Sequence, residues 1–236
     1  MNEQIKLRTL DLTRGPSVTD LVFQELYDRV VGLDLLPGTK LSEADVARRM
    51  GVSRQPVRDA FYRLSQQGFL LVRPQRATVV TPISVEAVLR ARFVRTALEL
   101  EIMRAAMANV DGAALTDLAD LIAQQRLAVE DDDRPGFHAL DDAFHNRICE
   151  LAGHGHVWAL IRDNKAHMDR VRYLSLENGA RLALVDHVEI LEAMRDGDET
   201  LAISRMRAHL SRIAGIISEI RAAHADFFDP DEFEPA

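Results

Sequence analysis

Apolar residues recur at helical spacing in three short stretches near the N-terminus, at about 17–32, 42–51 and 53–68. The first two stretches open on a Ser with an Asp three residues later, which is typical of a helix start. Gly51 is well placed for the left-handed residue that ends a helix. Two short helices separated by about three residues predict a helix-turn-helix.

A hairpin pattern follows the helix pair. Residues 69–73 are apolar and β-prone, 74–77 contain turn residues, and 78–81 are β-branched. A helix pair alone can reflect simple packing, but a helix pair followed by a basic-tipped hairpin is typical of a winged helix. We therefore predict a winged helix-turn-helix DNA-binding domain over residues 1–82.

The rest of the chain shows almost only helical periodicity. Short connections predict that these helices form an antiparallel bundle over residues 83–225, so the predicted fold class is mostly α. The segment 226–236 is acidic, contains Pro and lacks periodicity, and we predict a mobile tail. The six helices are predicted near 84–109, 113–130, 135–152, 155–174, 179–196 and 199–224.

Charge is distributed unevenly along the chain. The formal net charge is −8, but residues 1–80 hold 12 Lys/Arg against 9 Asp/Glu and are therefore positive by 3. This asymmetry favours a polyanion-binding N-terminal part. No apolar run reaches the roughly 18 residues that a bilayer span needs, and the N-terminal residues lack the apolar stretch of a signal peptide. A single cysteine, Cys149, fits a reducing cytoplasm.

Basic and polar residues off the apolar face of the third helix are the candidate DNA contacts. Arg54, Gln55 and Arg58 lie in its first turns, where recognition helices contact base edges. Arg49 and Arg63 are better placed for phosphates, and Arg76 at the wing tip for a minor groove or the backbone. For each residue taken singly, a solvated surface side chain is the alternative.

Four residues of the predicted bundle are candidate metal ligands. Asp141 and His145 are four apart and share one helix face, while His187 and His209 lie beside apolar residues of two other helices. One carboxylate and three imidazoles suit Zn, Ni, Mn or Fe. The alternative is that each His is a satisfied core side chain, and sequence spacing leaves both open. Asp142 is a possible substitute, about 100° around the helix.

The N-terminal motifs resemble the GntR-type winged helix over residues 17–82. This resemblance implies that Arg54 and Arg58 contact operator DNA, with Ser53, Gln55 and the wing assisting. Two positions depart from the family pattern, Ala77 at the wing tip and Ala44, so one DNA contact is in doubt. The matching residues are Leu41-Ser42-Glu43, Ala47, Gly51-Val52-Ser53-Arg54, Val57-Arg58, Leu64, Gly68 and the wing from Pro74 to Val80.

The helical part resembles the FCD ligand-binding domain of the FadR subfamily over residues 84–222. The resemblance implies a divalent metal ion, Zn, Ni or Mn, held by Asp141, His145, His187 and His209, with a small carboxylate effector at or near it. The matching motifs are Arg95-x-x-Leu98-Glu99, Leu140-Asp141-x-x-Phe144-His145, Asp186-His187-x-x-Ile190-Leu191 and Met206-x-x-His209-Leu210.

Arg95 is a candidate partner for the effector carboxylate, because a guanidinium pairs with a carboxylate through two hydrogen bonds. An intrahelical pair with Glu99 at i+4 is an equally good alternative.

The sequence thus predicts a cytoplasmic homodimeric repressor that binds a two-fold double-stranded operator and has no membrane contact. Two rivals stay open. One is a metalloenzyme fused to a DNA-binding domain, with Glu150 or Asp142 as base. The other is an architectural DNA-binding dimer without sensing. Gly-rich phosphate loops, H-E-x-x-H and G-x-S-x-G motifs are missing.

Overall fold

The structure is a computed structural model that describes residues 15–73, 76–175 and 179–230. Its first part contains three helices and three short strands, and its second part contains six longer helices. The elements are α1 (Val18–Val31), β1 (Lys40–Leu41), α2 (Glu43–Met50), α3 (Arg54–Gln66), β2 (Leu70–Leu71), β3 (Thr78–Val80), α4 (Val85–Met107), α5 (Gly112–Glu130), α6 (Arg134–Leu151), α7 (Val157–Leu174), α8 (Gly179–Arg195) and α9 (Glu199–Ala223).

The ends of the first helices follow local chemistry with two exceptions, of which one is α3, where the side chain of Ser53 makes no capping hydrogen bond. Ser17 and Asp20 form the expected capping box of α1. Gly51 ends α2 at φ 66°, in the left-handed region where a Cβ is disfavoured. The cap expected at Ser42 is wrong in one respect, because the side chain of Ser42 makes no capping hydrogen bond. Asp45, its expected partner, instead contacts Arg48.

The wing is a three-stranded antiparallel sheet in the order β1-β3-β2. The two hairpin strands lie where the apolar and β-branched stretches predicted them. Strand β1 was not predicted, and it pairs Lys40 with Val79 and Leu41 with Thr78. Two residues are too few for a recognisable alternation, so this strand is specified only by its pairing with β3. The described part is therefore a winged helix-turn-helix.

The six predicted helices of the second part are all confirmed, with ends that lie within a few residues of the predictions. Helix α4 packs against α7 and α9, while α5 packs against α6 and α8. Leu118, Phe144, Ile190 and Met194 are fully buried in the core between them. Among the described residues, no helix is both long and apolar enough to cross a membrane.

Helix α7 joins the helical bundle to the winged helix. Ala166 is buried in the core formed mainly by the winged-helix part. One ring nitrogen of His167 lies 2.9 Å from the carbonyl oxygen of Gln67, and the His167 ring stacks on Phe69 with centroids 4.5 Å apart. Arg170 donates to the carbonyl oxygen of Thr81 at 2.8 Å. The segment between the two parts is thus held directly by α7.

The residues after α9 pack differently from the expectation of a mobile tail. Residues Ala225–Phe227 form a short 3₁₀ turn, and Phe228 is buried in a cluster with Ile83 and Ile217. The amide of Ile83 donates to the carbonyl of Phe227 at 2.7 Å. The physical reason is the apolar pair Phe227-Phe228, whose rings are removed from water when they pack against this cluster. Residues 231–236 of the predicted tail lie outside the described residues.

Candidate functional site

The start of helix α3 presents a continuous polar surface. Ser53, Arg54, Gln55 and Arg58 are all exposed, because the apolar face of α3 is turned into the core through Val57, Ala60, Phe61 and Leu64. Gln55 donates to Asp59 at 2.9 Å, and Arg58 lies 3.3 Å from Glu43 of α2. Such exposed contacts are weak, so these side chains can be drawn into contacts with a ligand.

The other three predicted DNA contacts lie on three different elements. Arg49 on α2 and Arg76 on the wing are exposed. Arg63 is instead 2.7 Å from Asp20 and stacks over the ring of Phe23 at 3.9 Å, so it also ties α3 to α1.

Two basic residues of the wing were missed by the sequence interpretation. Lys40 of β1 and Arg73 after β2 line one shallow depression together with Arg76. Little in the sequence indicated Lys40, because it belongs to the strand that was not predicted.

The four predicted metal ligands converge in the helical bundle. One ligand atom from each of Asp141, His145, His187 and His209 lies within 4.8 Å of the others. The Nε2 atoms of His145 and His209 are 3.2 Å apart, and Nε2 of His187 is 3.6 Å from a carboxylate oxygen of Asp141. Helices α6, α8 and α9 supply these side chains.

Each of the three imidazoles is held through its other ring nitrogen. Nδ1 of His145 contacts Glu99 at 2.5 Å, Nδ1 of His187 contacts Gln125 at 2.8 Å, and Nδ1 of His209 contacts Asp186 at 3.2 Å. These contacts orient the rings and leave every Nε2 directed at the common point, as in metal sites whose histidines have polar partners.

The three supporting residues had no assigned supporting role at the level of sequence. Gln125 did carry a signal, because it follows Ala114, Leu118 and Ile122 on the buried face of α5. A polar residue in an apolar stripe needs a partner inside the protein.

Electrostatics prepares the ligand atoms for a cation. Burial by itself would raise the pKa of Asp141, but Arg172, 2.8 Å away, holds that pKa well below its usual range. Burial, aided by the charge of His209, lowers the pKa of His187 well below its ordinary value. Burial also lowers the pKa of His209. The carboxylate is therefore ionised and these imidazoles are neutral at pH 7, which are the forms that bind metals.

Unsatisfied polar atoms are also found in this cluster. Among the described residues, Oδ2 of Asp141 and Nε2 of His187 have no hydrogen-bond partner, while Oδ1 of Asp141 contacts Arg172. Buried polar atoms without partners are rare in folded proteins and call for an explanation. A three-nitrogen, one-oxygen donor set fits a borderline divalent cation, and such a cation would satisfy these atoms.

A cavity opens beside the cluster. It encloses about 770 Å³, including its opening to solvent. Arg95, Arg172 and His209 line its inner end, and Arg134 lies at its more exposed side. No Asp or Glu is among the described residues that line it. Its full lining is Arg95, Arg134, Phe137, His138, Met168, Arg172, Tyr173, Ser175, Gly179, Ala180, Ala183, His209, Leu210, Arg212, Ile213 and Ile216.

Arg95 combines the two roles that the sequence left open. Its Nε donates to Glu99 of the same helix, and Glu99 in turn contacts His145. Its Nη2 is buried and has no hydrogen-bond partner among the described residues. One side of the guanidinium therefore supports the cluster while the other side remains available at the cavity.

Several other candidates are placed outside the cluster. Asp142 pairs with Lys165 at 2.9 Å, and Glu150 pairs with Arg147 at 3.2 Å. Cys149 is fully buried, and burial raises the pKa of its thiol to about 12. His138 lines the cavity with its ring 4.2 Å from that of Tyr173.

Comparisons with known proteins agree with this organisation. The model of the bacterial regulatory proteins of the gntR family matches residues 19–80, and the model of the FCD domain matches residues 91–212. An uncharacterised HTH-type transcriptional regulator of Streptomyces ambofaciens is 37% identical over 93% of this chain and 93% of its own length. The HTH-type transcriptional repressor RspR of Escherichia coli K12 is 36% identical over 90% of this chain and 96% of its own length.

A solved structure supports the fold alone. Escherichia coli McbR/YncC superposes with a TM-score of 0.73 at 22% identity, over 87% of this chain and 99% of that chain.

Proposed function

The chain belongs to the gntR family of bacterial regulatory proteins, and from this premise we propose that it is a metal-dependent repressor that responds to a small carboxylate. It is a transcriptional regulator with an HTH and an FCD domain, and not an enzyme, as the family descriptions and the names of its relatives indicate. The repressor assignment draws on the relative RspR, which is named a repressor.

One observation carries the sensing part of the proposal. Three imidazoles and one carboxylate from three helices direct ligand atoms to one point within 4.8 Å of one another, and each imidazole is oriented by a separate polar partner. A set of satisfied core histidines would use both ring nitrogens internally, whereas Nε2 of His187 has no hydrogen-bond partner among the described residues. Zn²⁺, Ni²⁺ and Mn²⁺ all suit the donor set, and a bound ion would offer an open position to a carboxylate.

DNA binding is proposed for the exposed start of α3 and for the wing. In a homodimer the two α3 helices would enter successive major grooves of a two-fold operator, about one helical turn apart. Ser53, Arg54, Gln55 and Arg58 would contact bases and adjoining phosphates, and Arg49, Arg63 and Arg76 would contact the backbone or a groove edge. Lys40 and Arg73 extend the basic surface of the wing.

Helix α7 offers a physical route between the two sites. Its Arg172 contacts the proposed ligand Asp141, and its His167 and Arg170 contact Gln67 and Thr81 beside the wing. Effector binding next to Arg172 would therefore bias the position of α7 and the spacing of the two DNA-binding domains. A titration of the effector that leaves operator affinity unchanged would remove this coupling from the proposal.

Metal content of the purified protein tests the sensing site. We expect about one ion per chain in the wild type and loss of that ion in the double variant His187→Ala/His209→Ala. The matched control is His154→Ala/His156→Ala, because these two histidines are also close, with ring centroids 5.8 Å apart, but lie on the surface. Gln125→Leu should weaken metal affinity by about 10- to 100-fold, since it removes the partner of His187.

Equal metal content in wild type and both double variants would place the ion elsewhere. No ion in any of them, even after incubation with Zn²⁺, Ni²⁺ or Mn²⁺, would leave an architectural DNA-binding dimer as the better interpretation.

A further inference from the structure

The cavity beside the metal cluster has two chemically different parts. Its inner end contains the buried guanidinium of Arg95, with an unpartnered Nη2, beside Arg172 and His209. Most of the side chains along its walls are apolar and come from four helices, although Arg134, His138 and Arg212 also line it. The apolar ones are Phe137 of α6, Met168 of α7, Ala180 and Ala183 of α8, and Leu210, Ile213 and Ile216 of α9.

From this division we propose that the effector is a monocarboxylate with an apolar body, and not a polyhydroxylated acid or a dicarboxylate. This rests on the proposed function and names the ligand class of its sensing site. The carboxylate lies at the inner end, where Arg95 donates to it, and the body lies along Phe137, Met168 and Ile213. Arg95 is a positioning and binding group in this arrangement, and its contact with Glu99 keeps the guanidinium in place.

The apolar walls select against hydroxyl groups. A hydroxyl that enters such a wall loses its hydrogen bonds to water and finds no partner there, which is costly for each group buried. The polar side chains of the described lining outside the inner end are Arg134, His138, Tyr173, Ser175 and Arg212. A sugar acid with five hydroxyls would still place some of them against apolar side chains such as Ala183, Leu210 and Ile213, where they find no partner.

The charges around the inner end favour a single negative charge. Four cationic side chains face five anionic ones here, so a divalent cation leaves a surplus of one positive charge. One carboxylate removes that surplus, whereas two would leave a negative charge in a buried site. Arg134 is not included, because the charge of Asp132, 3.1 Å away and outside the cavity lining, balances its own. The groups in this count are Arg95, Lys165, Arg172 and Arg212 against Glu99, Asp141, Asp142, Asp169 and Asp186.

Calorimetric titration of the Zn²⁺-loaded, full-length protein with four six-carbon probes tests the proposal. The probes are hexanoate, gluconate, adipate and hexyl phosphate. Hexanoate and gluconate differ only in hydroxyl groups, adipate adds a second carboxylate, and hexyl phosphate replaces the carboxylate by a phosphate ester. We expect hexanoate to bind about 100-fold more tightly than gluconate and about 10-fold more tightly than adipate or hexyl phosphate.

Each result has a definite meaning. Gluconate binding as tightly as hexanoate overturns the apolar body, and tighter adipate overturns the single charge, although a carboxylate sensor would remain. Tighter hexyl phosphate overturns the carboxylate head group. Absence of binding by all four probes overturns the proposal as a whole. The proposed function then stands or falls separately, on metal content and operator binding.

A pair of matched variants tests whether this cavity is the binding site. Ala180→Leu places three more carbon atoms in the cavity and should weaken hexanoate binding at least about 10-fold. Ala119→Leu makes the same change at another half-buried alanine, on α5 and outside the cavity lining, and should leave binding unchanged. Both variants should melt as cooperatively as the wild type and bind operator DNA normally without ligand. Unchanged hexanoate affinity in folded Ala180→Leu would overturn the assignment to this cavity.

Discussion

Arginine side chains have opposite surroundings in the two parts of this molecule. In the winged helix, Arg54 and Arg58 project from the surface of α3, and the partner of Arg58 is a half-buried carboxylate 3.3 Å away. In the helical domain, Arg95 and Arg170 are 2% and 1% exposed, and Arg172 contacts two buried carboxylates, Asp141 and Asp169.

The difference shows how one residue type can serve binding in one place and positioning in another. An exposed ion pair contributes little to stability, because water and salt screen it. The arginine of an exposed pair can therefore exchange its carboxylate partner for a phosphate when a polyanion approaches. A buried pair is costly to break, because the remaining charge has lost its water. Its arginine therefore holds a neighbour in one position and one ionisation state.

Arg170 shows a third setting. It is buried and donates to the carbonyl oxygens of Thr81 and Pro82, and burial lowers its pKa to about 10. A guanidinium with this pKa is still charged at pH 7. Its hydrogen bonds to Thr81 and Pro82, between the two parts of the molecule, are therefore charge-assisted and stronger than neutral ones.

The largest effect is expected when a buried positive charge is removed. Arg172→Met should lower the free energy of unfolding by about 3–5 kcal/mol, because the buried Asp141 loses its arginine partner and Asp169 keeps only Lys165. Urea unfolding at pH 7 measures this value. The control is Arg147→Met, which breaks contacts with the exposed carboxylates of Asp117 and Glu150 and should cost about 1 kcal/mol or less. A similar loss of unfolding free energy in both variants would contradict the distinction between buried and exposed arginines.

Removal of an exposed arginine from α3 should affect binding and leave stability nearly unchanged. Arg54→Ala and Arg58→Ala are each expected to weaken operator binding by about 1–3 kcal/mol, the usual contribution of an arginine that contacts a base. Electrophoretic mobility shifts at fixed salt, with urea unfolding in parallel, measure both properties. Arg205→Ala on α9, which breaks an exposed pair with Glu189, is the control. An operator affinity that is unchanged by both α3 substitutions would contradict the assignment of this surface to DNA binding.

Histidine titration affects the helical domain and not the winged helix, because all eight histidines of the chain follow residue 137. Among them, His138 has a shifted pKa that can be tested by substitution. Burial, with the charge of Arg172 adding to it, lowers the pKa of His138 to about 4, whereas an unfolded histidine has a pKa of about 6.5. Between these values the unfolded chain binds a proton that the folded chain does not. The contribution of His138 is complete above pH 6.5 and falls by about 1.4 kcal/mol per pH unit down to about pH 4.

His138→Phe retains an aromatic ring beside Tyr173 and removes this titration. Its free energy of unfolding should change less with pH than that of the wild type between pH 4.5 and 6.5. The difference between the two proteins isolates His138, because every other ionisable group is present in both. Parallel curves over this range would mean that His138 is protonated equally in the folded and unfolded states.

The smallest effect is expected at Arg63, which has features of both groups. Arg63→Ala removes a half-exposed contact with Asp20 and the stacking on Phe23, and should cost about 1 kcal/mol of stability. If Arg63 also contacts a phosphate, as its position on α3 predicts, the slope of log affinity against log salt should fall by about 1. An unchanged salt slope would restrict Arg63 to its contact with α1.

The identity of the proposed metal ligands could be predicted, but the residues that support them could not. Asp141, His145, His187 and His209 stand beside apolar residues in helical segments, so each was expected to face inward. Glu99, Gln125 and Asp186 orient the imidazoles from positions as far as 62 residues from their partners. The partner of a buried polar side chain depends on which helices pack together, and periodicity carries no information on that.

The positions of the helices and their ends were determined by the sequence itself. The spacing of apolar residues, the Ser17 cap and the left-handed Gly51 specified the helices and their ends, because such preferences act within a few residues along the chain. The tertiary structure alone decided the pairing of β1 with β3, the burial of Phe228 against Ile83, and the convergence of four ligand atoms. These contacts join residues that are distant in sequence, and they become favourable only when packed helices exclude water between them.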